Sequence, residues 1–219
     1  PQTMINESQY GMETSKHLPA ADYKLTYRAS NGRGVYSFCM CPGGQVVNSS
    51  SEPGRLVVNG MSYRARDGRN ANSALIVTVT PDDYPGEDVL SGVAFQRQIE
   101  EAAWKAGQGK IPSQLFGDFR ANRASAELGD VLPDHKGETT LTNLRDILPE
   151  VLNEALIEGI EAFDHKIKGY AREDAVLSAV EARTSSPVKI LRDENMMSNI
   201  PNMNLKSIRA TEQSCILIY

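Results

Sequence analysis

The sequence predicts an α+β domain, with a mixed or antiparallel sheet built mostly from the first part of the chain and helices mostly from the later part. Three observations carry this. Between residues 22 and 80, β-branched and aromatic residues cluster in short runs separated by glycine and asparagine turns. At Val93 the apolar period changes to that of a helix, and from Thr140 to Lys166 a second and stronger helical pattern follows. Strand signals then return after residue 174, and no repeat at a period of about 20 to 50 residues suggests a solenoid or propeller instead.

The expected strands are Tyr23–Tyr27, Val35–Cys41, Gln45–Asn48, Arg55–Asn59 and Ala74–Thr80. Asn31-Gly32, Pro42-Gly43-Gly44, Pro53-Gly54 and Asp67-Gly68 supply turns, each needing a backbone angle that glycine or proline provides cheaply. The run Ala74-Leu-Ile-Val is apolar on both alternating faces, which predicts a central strand covered on both sides. In the next segment Phe95, Ile99, Ala102, Ala103 and Ala106 recur at helical spacing, with Arg97, Glu100, Glu101 and Lys105 expected on the outer face and Gly107 ending the helix. Gln108–Gly137 reads as a long loop held by the rest of the protein. Leu141, Leu144 and Leu148 make a short amphipathic turn set, and Pro149 opens a helix whose buried stripe is Val151, Leu152, Ala155, Leu156, Ile160 and Phe163. Ala175–Arg183 and Val188–Leu191 read as strands joined through Thr184-Ser-Ser-Pro187.

Composition narrows the function. With 23 basic against 28 acidic residues the formal net charge is -5, which argues against a nucleic-acid partner needing a concentrated basic surface. The basic stretch of Arg55, Arg64, Arg66 and Arg69 is interrupted by Asp67; it is either a solvated hairpin surface or a contact for an anionic partner in a non-enzymatic binding module. Three cysteines are too few for a disulfide framework and fit a reducing cytoplasm. No apolar run reaches the roughly 18 to 20 residues of a membrane span, so no membrane partner is expected.

The chemistry-bearing features are few. A dinucleotide fingerprint is absent: Gly32-Arg-Gly34 lacks a third glycine and enters a strand, and Gly107-Gln-Gly109 leads into Ile111-Pro112. A P-loop is absent too. Cys39-Met40-Cys41 precedes Pro42-Gly43-Gly44; in an extended chain both thiols project from one face, and the glycines let backbone approach a ligand. Cys39 and Cys41 are therefore either candidate catalytic groups at a cofactor or small buried core residues. Arg183-Thr184-Ser185-Ser186-Pro187 sets a guanidinium fork and three hydroxyls between two apolar runs, suited either to binding a polar ring edge or an anion or to satisfying its own turn. His135 and His165 look isolated, with no serine or cysteine partner to place beside them, and no metal site emerges at finger-like spacing.

The stretch GRGVYSFCMCPGG at Gly32–Gly44 resembles a bacterial family of uncharacterised FAD-dependent dehydrogenases. So do EPGRLVVNGMSY at Glu52–Tyr63, RDGRNAN at Arg66–Asn72, FQRQ at Phe95–Gln98 and EARTSSPVKILRD at Glu181–Asp193. The resemblance runs from about Pro1 to Ile208 and leaves Arg209–Tyr219 as a divergent tail, where the family continues into a glycine-rich return to the flavin. It implies the C-terminal, substrate-side domain of a two-domain flavoprotein. Its partners would be a dinucleotide-binding domain outside this sequence and a small-molecule substrate, and its cofactor would be FAD. The chain alone would then hold FAD weakly or not at all; the alternatives are the anion- or partner-binding module above and a truncated product without independent activity. The resemblance also implies that Gly43, Gly44 and the stretch Arg183, Thr184, Ser185, Ser186 and Pro187 face the flavin.

Overall fold

The computed structural model describes residues 6, 7, 9–18, 24–37, 39–188, 191, 193–195, 197 and 198, and the backbone of 214–218. Its architecture is α+β, with antiparallel and mixed sheets. The main sheet has seven strands in the order β1 (Leu25–Arg28), β2 (Gly34–Ser37), β7 (Leu75–Val79), β12 (Ser214–Ile218), β11 (Val176–Glu181), β8 (Ile111–Leu115) and β10 (Thr139–Leu141). All its ladders are antiparallel except the parallel pair of β8 with β10. A three-stranded sheet pairs β4 (Gly44–Asn48) with β5 (Val58–Ser62) and, in parallel, with β9 (His135–Lys136). Strands β3 (Met40–Cys41) and β6 (Asn72–Ser73) form a short separate ladder.

β7 is the doubly covered strand that its sequence predicts: all five of its residues are buried, and it pairs on both edges. The five-residue strand on its second edge, β12, comes from the segment read as a divergent tail. Helix α1 (Ser91–Gly107) ends where Gly107 was expected to end it, with Gln108 taking the left-handed cap conformation. Helix α3 (Glu150–Asp164) buries Leu152, Ala155, Leu156, Ile160 and Phe163, while Val151 stays exposed. Full burial of such leucine, isoleucine and phenylalanine side chains is worth about 1.5–3 kcal/mol each, so this face anchors the helix. Gly159 allows the anchoring to be close. A Cβ there would collide with Cγ1 of Val35 and come within 2.8 Å of its Cβ.

Three expectations are corrected. Gln108–Gly137 is not one long loop, since it contains β8, the short helix α2 (Phe116–Arg120) and β9. β5 begins at Val58 because the two residues before it bond elsewhere: Leu56 N–H donates to the Glu100 carbonyl and Val57 N–H to Ser50 Oγ. Glu100 does not face outward; it is fully buried. The strand expected at Val188–Leu191 falls partly outside the described residues. Among the described residues, no helix is long and apolar enough to cross a membrane.

Candidate functional site

A cavity of about 570 Å³ lies where β3, β4 and β6 approach β9, β11 and the turn after α3. That size is in the range of small-molecule sites. Met40, Val46, Leu75, Phe116, Ile160, Ile167, Val176 and Leu177 supply much of its apolar wall. The polar lining includes Asn72, Ser73, His135, Tyr170 and Ser178.

The walls are fixed by local bonds. On one side, Val46 N–H donates to the Asp134 carbonyl at 2.9 Å and Gln45 Nε2 donates to Asp134 Oδ1 at 3.1 Å, which holds the segment entering β9 against β4. On another, Asp164 Oδ1 accepts from Gly169 N at 2.8 Å and Ala171 N at 3.1 Å, pinning the turn that carries Tyr170. These bonds stabilise the ionised form, so the Asp164 carboxyl is held below the usual carboxylate range, first by the Ala171 amide. Arg172 closes its guanidinium on Asp174, with both contacts at 2.8 Å.

Two polar clusters line the cavity. His135, expected to be isolated, has hydroxyl partners on both nitrogens: Nδ1 lies 2.7 Å from Thr139 Oγ1 and Nε2 lies 2.9 Å from Ser178 Oγ. Ser178 is 3.0 Å from Ser113 Oγ, and both serines are buried. Burial pushes the imidazole below its ordinary value, opposed in part by Asp134, so the ring is neutral near pH 7. In the second cluster Tyr170 Oη, Ser73 Oγ and Ser37 Oγ meet at 2.8–3.1 Å. No local motif announces either cluster, because their members lie on separate elements joined only by the fold.

Gly44 lines the cavity, as does Met40, whereas Cys39 and Cys41 do not; along an extended segment the middle residue faces opposite to its neighbours. Burial, then Cys41 and Glu181, push the Cys39 thiol up, which opposes the thiolate form a nucleophile needs. Gly43 has φ +56°, and the backbone that approaches it is the chain's own: a Cβ there would collide with the Arg66 carbonyl and lie 2.6 Å from Gly68 N. Arg183 is engaged inside the protein. Its Nε and Nη2 donate to the two carboxylate oxygens of Glu100 at 2.6 and 2.7 Å, and Nη2 also reaches Glu52 Oε1 at 2.7 Å. Gln96 Nε2 donates to the Ser185 carbonyl at 3.0 Å, and Ser186 Oγ donates to Val188 O and accepts from Val188 N. Pro187 packs on Gly92 of α1, where a Cβ would lie 2.5 Å from its own Cβ. Thr184 is exposed at the same bend. Gly44 lines the cavity, and Arg183–Pro187 are not among its lining residues.

Residues 1–184 match the family described as FAD-dependent protein, C-terminal domain-like. A protein of Clostridium beijerinckii described as uncharacterized is 54% identical over 202 residues, which is 90% of this chain and 38% of that protein. The chain thus spans well under half the length of this relative.

Proposed function

The chain belongs to the FAD-dependent protein C-terminal domain-like family, and from that membership we propose that it forms the substrate-side chamber of a longer FAD-dependent oxidoreductase. The observation that carries the reading is the cavity beside Gly44: about 570 Å³, apolar over most of its wall, with a few fixed polar groups. Such a lining suits enclosure of a small molecule.

The FAD named by the family fits this chain unequally. No glycine fingerprint is present to hold its pyrophosphate, the close approach at Gly43 is filled by Arg66–Gly68, and the Arg183 fork is closed on Glu100 and Glu52. The cavity, by contrast, has room and apolar wall for a flat ring. In this reading the nucleotide part is held by the rest of the longer protein, and the cavity lined by Met40 and Gly44 takes the ring or the substrate. A bound flavin supplies the electron-transfer chemistry; the protein supplies orientation, exclusion of water and electrostatics.

Mixing the purified chain with excess FAD tests this directly, when compared with a longer protein carrying the upstream region. The expected outcome is weak or no binding by the chain alone and a tightly bound yellow chromophore in the longer protein. A colourless longer protein rejects the reading.

A further inference from the structure

The charges around the cavity run against those of the whole chain. The sequence carries 23 basic and 28 acidic residues, yet among the described residues the cavity is lined by three cations, Arg69, Lys168 and Arg172, and by a single carboxylate, Asp134. Two of these charges are already engaged: Arg172 is closed on Asp174, and Asp134 accepts from Gln45 at 3.1 Å. Lys168 lies 3.7 Å from Asp164 with its side chain 77% exposed, so that pairing is loose and screened by water. Arg69 is exposed and has no hydrogen-bond or ion-pair partner among the described residues. A residue that lines a cavity and is also exposed stands where the cavity opens to water. Arg69 and Lys168 are therefore at the mouth, and the buried apolar wall of Val46, Leu75, Phe116 and Ile160 lies behind them.

Both cations stand on fixed segments. Gly44 N–H donates to the Asn70 carbonyl at 2.9 Å and Asn70 Nδ2 donates to the Leu132 carbonyl, which ties down the residue after Arg69. Lys168 precedes Gly169, whose amide is held by Asp164. Of the four arginines in the basic stretch of the sequence, Arg55 is paired with Glu52 and Glu101, and Arg69 alone lines the cavity. We propose that the cavity takes a small organic acid as substrate, its apolar body seated against the buried wall and its carboxylate at the mouth beside Arg69 and Lys168. A cleft with low-dielectric walls and cations at its opening concentrates anions there. The guanidinium fork also meets a carboxylate with two parallel hydrogen bonds. The inference rests on the reading of the cavity as a substrate-side chamber and names the class of substrate.

The test uses the full chain with naphthoate and its uncharged near-isostere naphthamide, each followed by its fluorescence. The expected result is that naphthoate binds the more tightly, and that its affinity falls as salt is raised while that of naphthamide does not. Arg69→Gln lowers naphthoate affinity about 5-fold or more and leaves naphthamide affinity unchanged, and Lys168→Gln gives a smaller loss of about 2- to 3-fold. Because Arg69 is exposed and unpartnered among the described residues, Arg69→Gln melts within about 2 °C of the parent, so a loss of affinity is not a loss of fold. Equal affinity for the two rings, no binding of naphthoate, or a naphthoate affinity that Arg69→Gln leaves unchanged overturns the proposal. The longer FAD-loaded protein tests a second source of the anion, the phosphates of the cofactor: retained Arg69-dependent binding of naphthoate supports the substrate, and exclusion of naphthoate by FAD overturns it. A colourless longer protein in which naphthoate binding still depends on Arg69 rejects the flavoprotein reading and keeps this one.

Discussion

Replacing Arg183 by methionine separates a structural guanidinium from a ligand-binding one. Glu100 is 0% exposed, and both of its oxygens accept from Arg183, whose own side chain is 39% exposed. Removing one member of a buried ion pair costs about 3–5 kcal/mol, because the remaining charge is left without a partner in a place water reaches poorly. The half-open position of Arg183 lets water screen part of that, so the cost falls below this range, to about 2–3 kcal/mol. For a chain of this size each kcal/mol moves the thermal midpoint by about 2–4 °C, which gives a drop of about 4–12 °C for Arg183→Met. The double variant Glu100→Gln/Arg183→Met removes both charges and recovers most of the loss, since a well-packed uncharged pair is often as stable as the ions. Calorimetric or dichroism melts of the four proteins in the cycle provide the measurement. An Arg183→Met protein that melts within about 1 °C of the parent and loses ligand affinity instead would refute the structural account and restore Arg183 as a ligand contact.

Further outcomes follow from other places in the molecule. Gly43→Ala forces a Cβ against the Arg66–Gly68 backbone at positive φ and is expected to cost about 2–4 kcal/mol in denaturant unfolding, whereas Gly54→Ala, also at positive φ but with nothing within 4 Å, costs about 1 kcal/mol. The His135 imidazole has its folded value pushed down by burial, so the stability it contributes is complete above about pH 6.5 and declines as pH falls towards the folded value. His135→Asn therefore flattens the pH dependence of the midpoint in that window. Glu158 accepts from the Ser30 hydroxyl and amide, which hold its carboxyl below the ordinary range. Its contribution is present above about pH 4.3 and lost on acidification, and Glu158→Gln removes that slope in an acid titration of stability.

Much of the fold was legible, and the failures have physical causes. β7, α1 and α3 read clearly because long apolar runs with one period leave a single way to bury them. β8 was hidden by Pro112 and the glycines before it, which ordinarily mark a loop; Pro112 is accommodated near the start of its strand beside Gly107, where a Cβ would approach its ring at 3.1 Å. Glu100 was misread because helical spacing puts it with the charged face, and only the distant Arg183 turns that position inward. At the cavity the sequence indicated Gly44 through its turn. The His135–Ser178 contact left no local trace, since hydrogen-bond satisfaction is decided by residues brought together from across the chain.

The placement of β12 also bears on how the sheet assembles. β7 and β11 do not pair with each other; each pairs with β12, so the two halves of the seven-stranded sheet are joined through Ser214–Ile218. Before Ser214–Ile218 pairs with them, β7 and β11 each carry an open strand edge. The Val77–Ile216 pairing spans most of the sequence, a separation that slows closure and lengthens the exposure of both edges. Until Ser214–Ile218 docks, both edges stay open to edge-to-edge association.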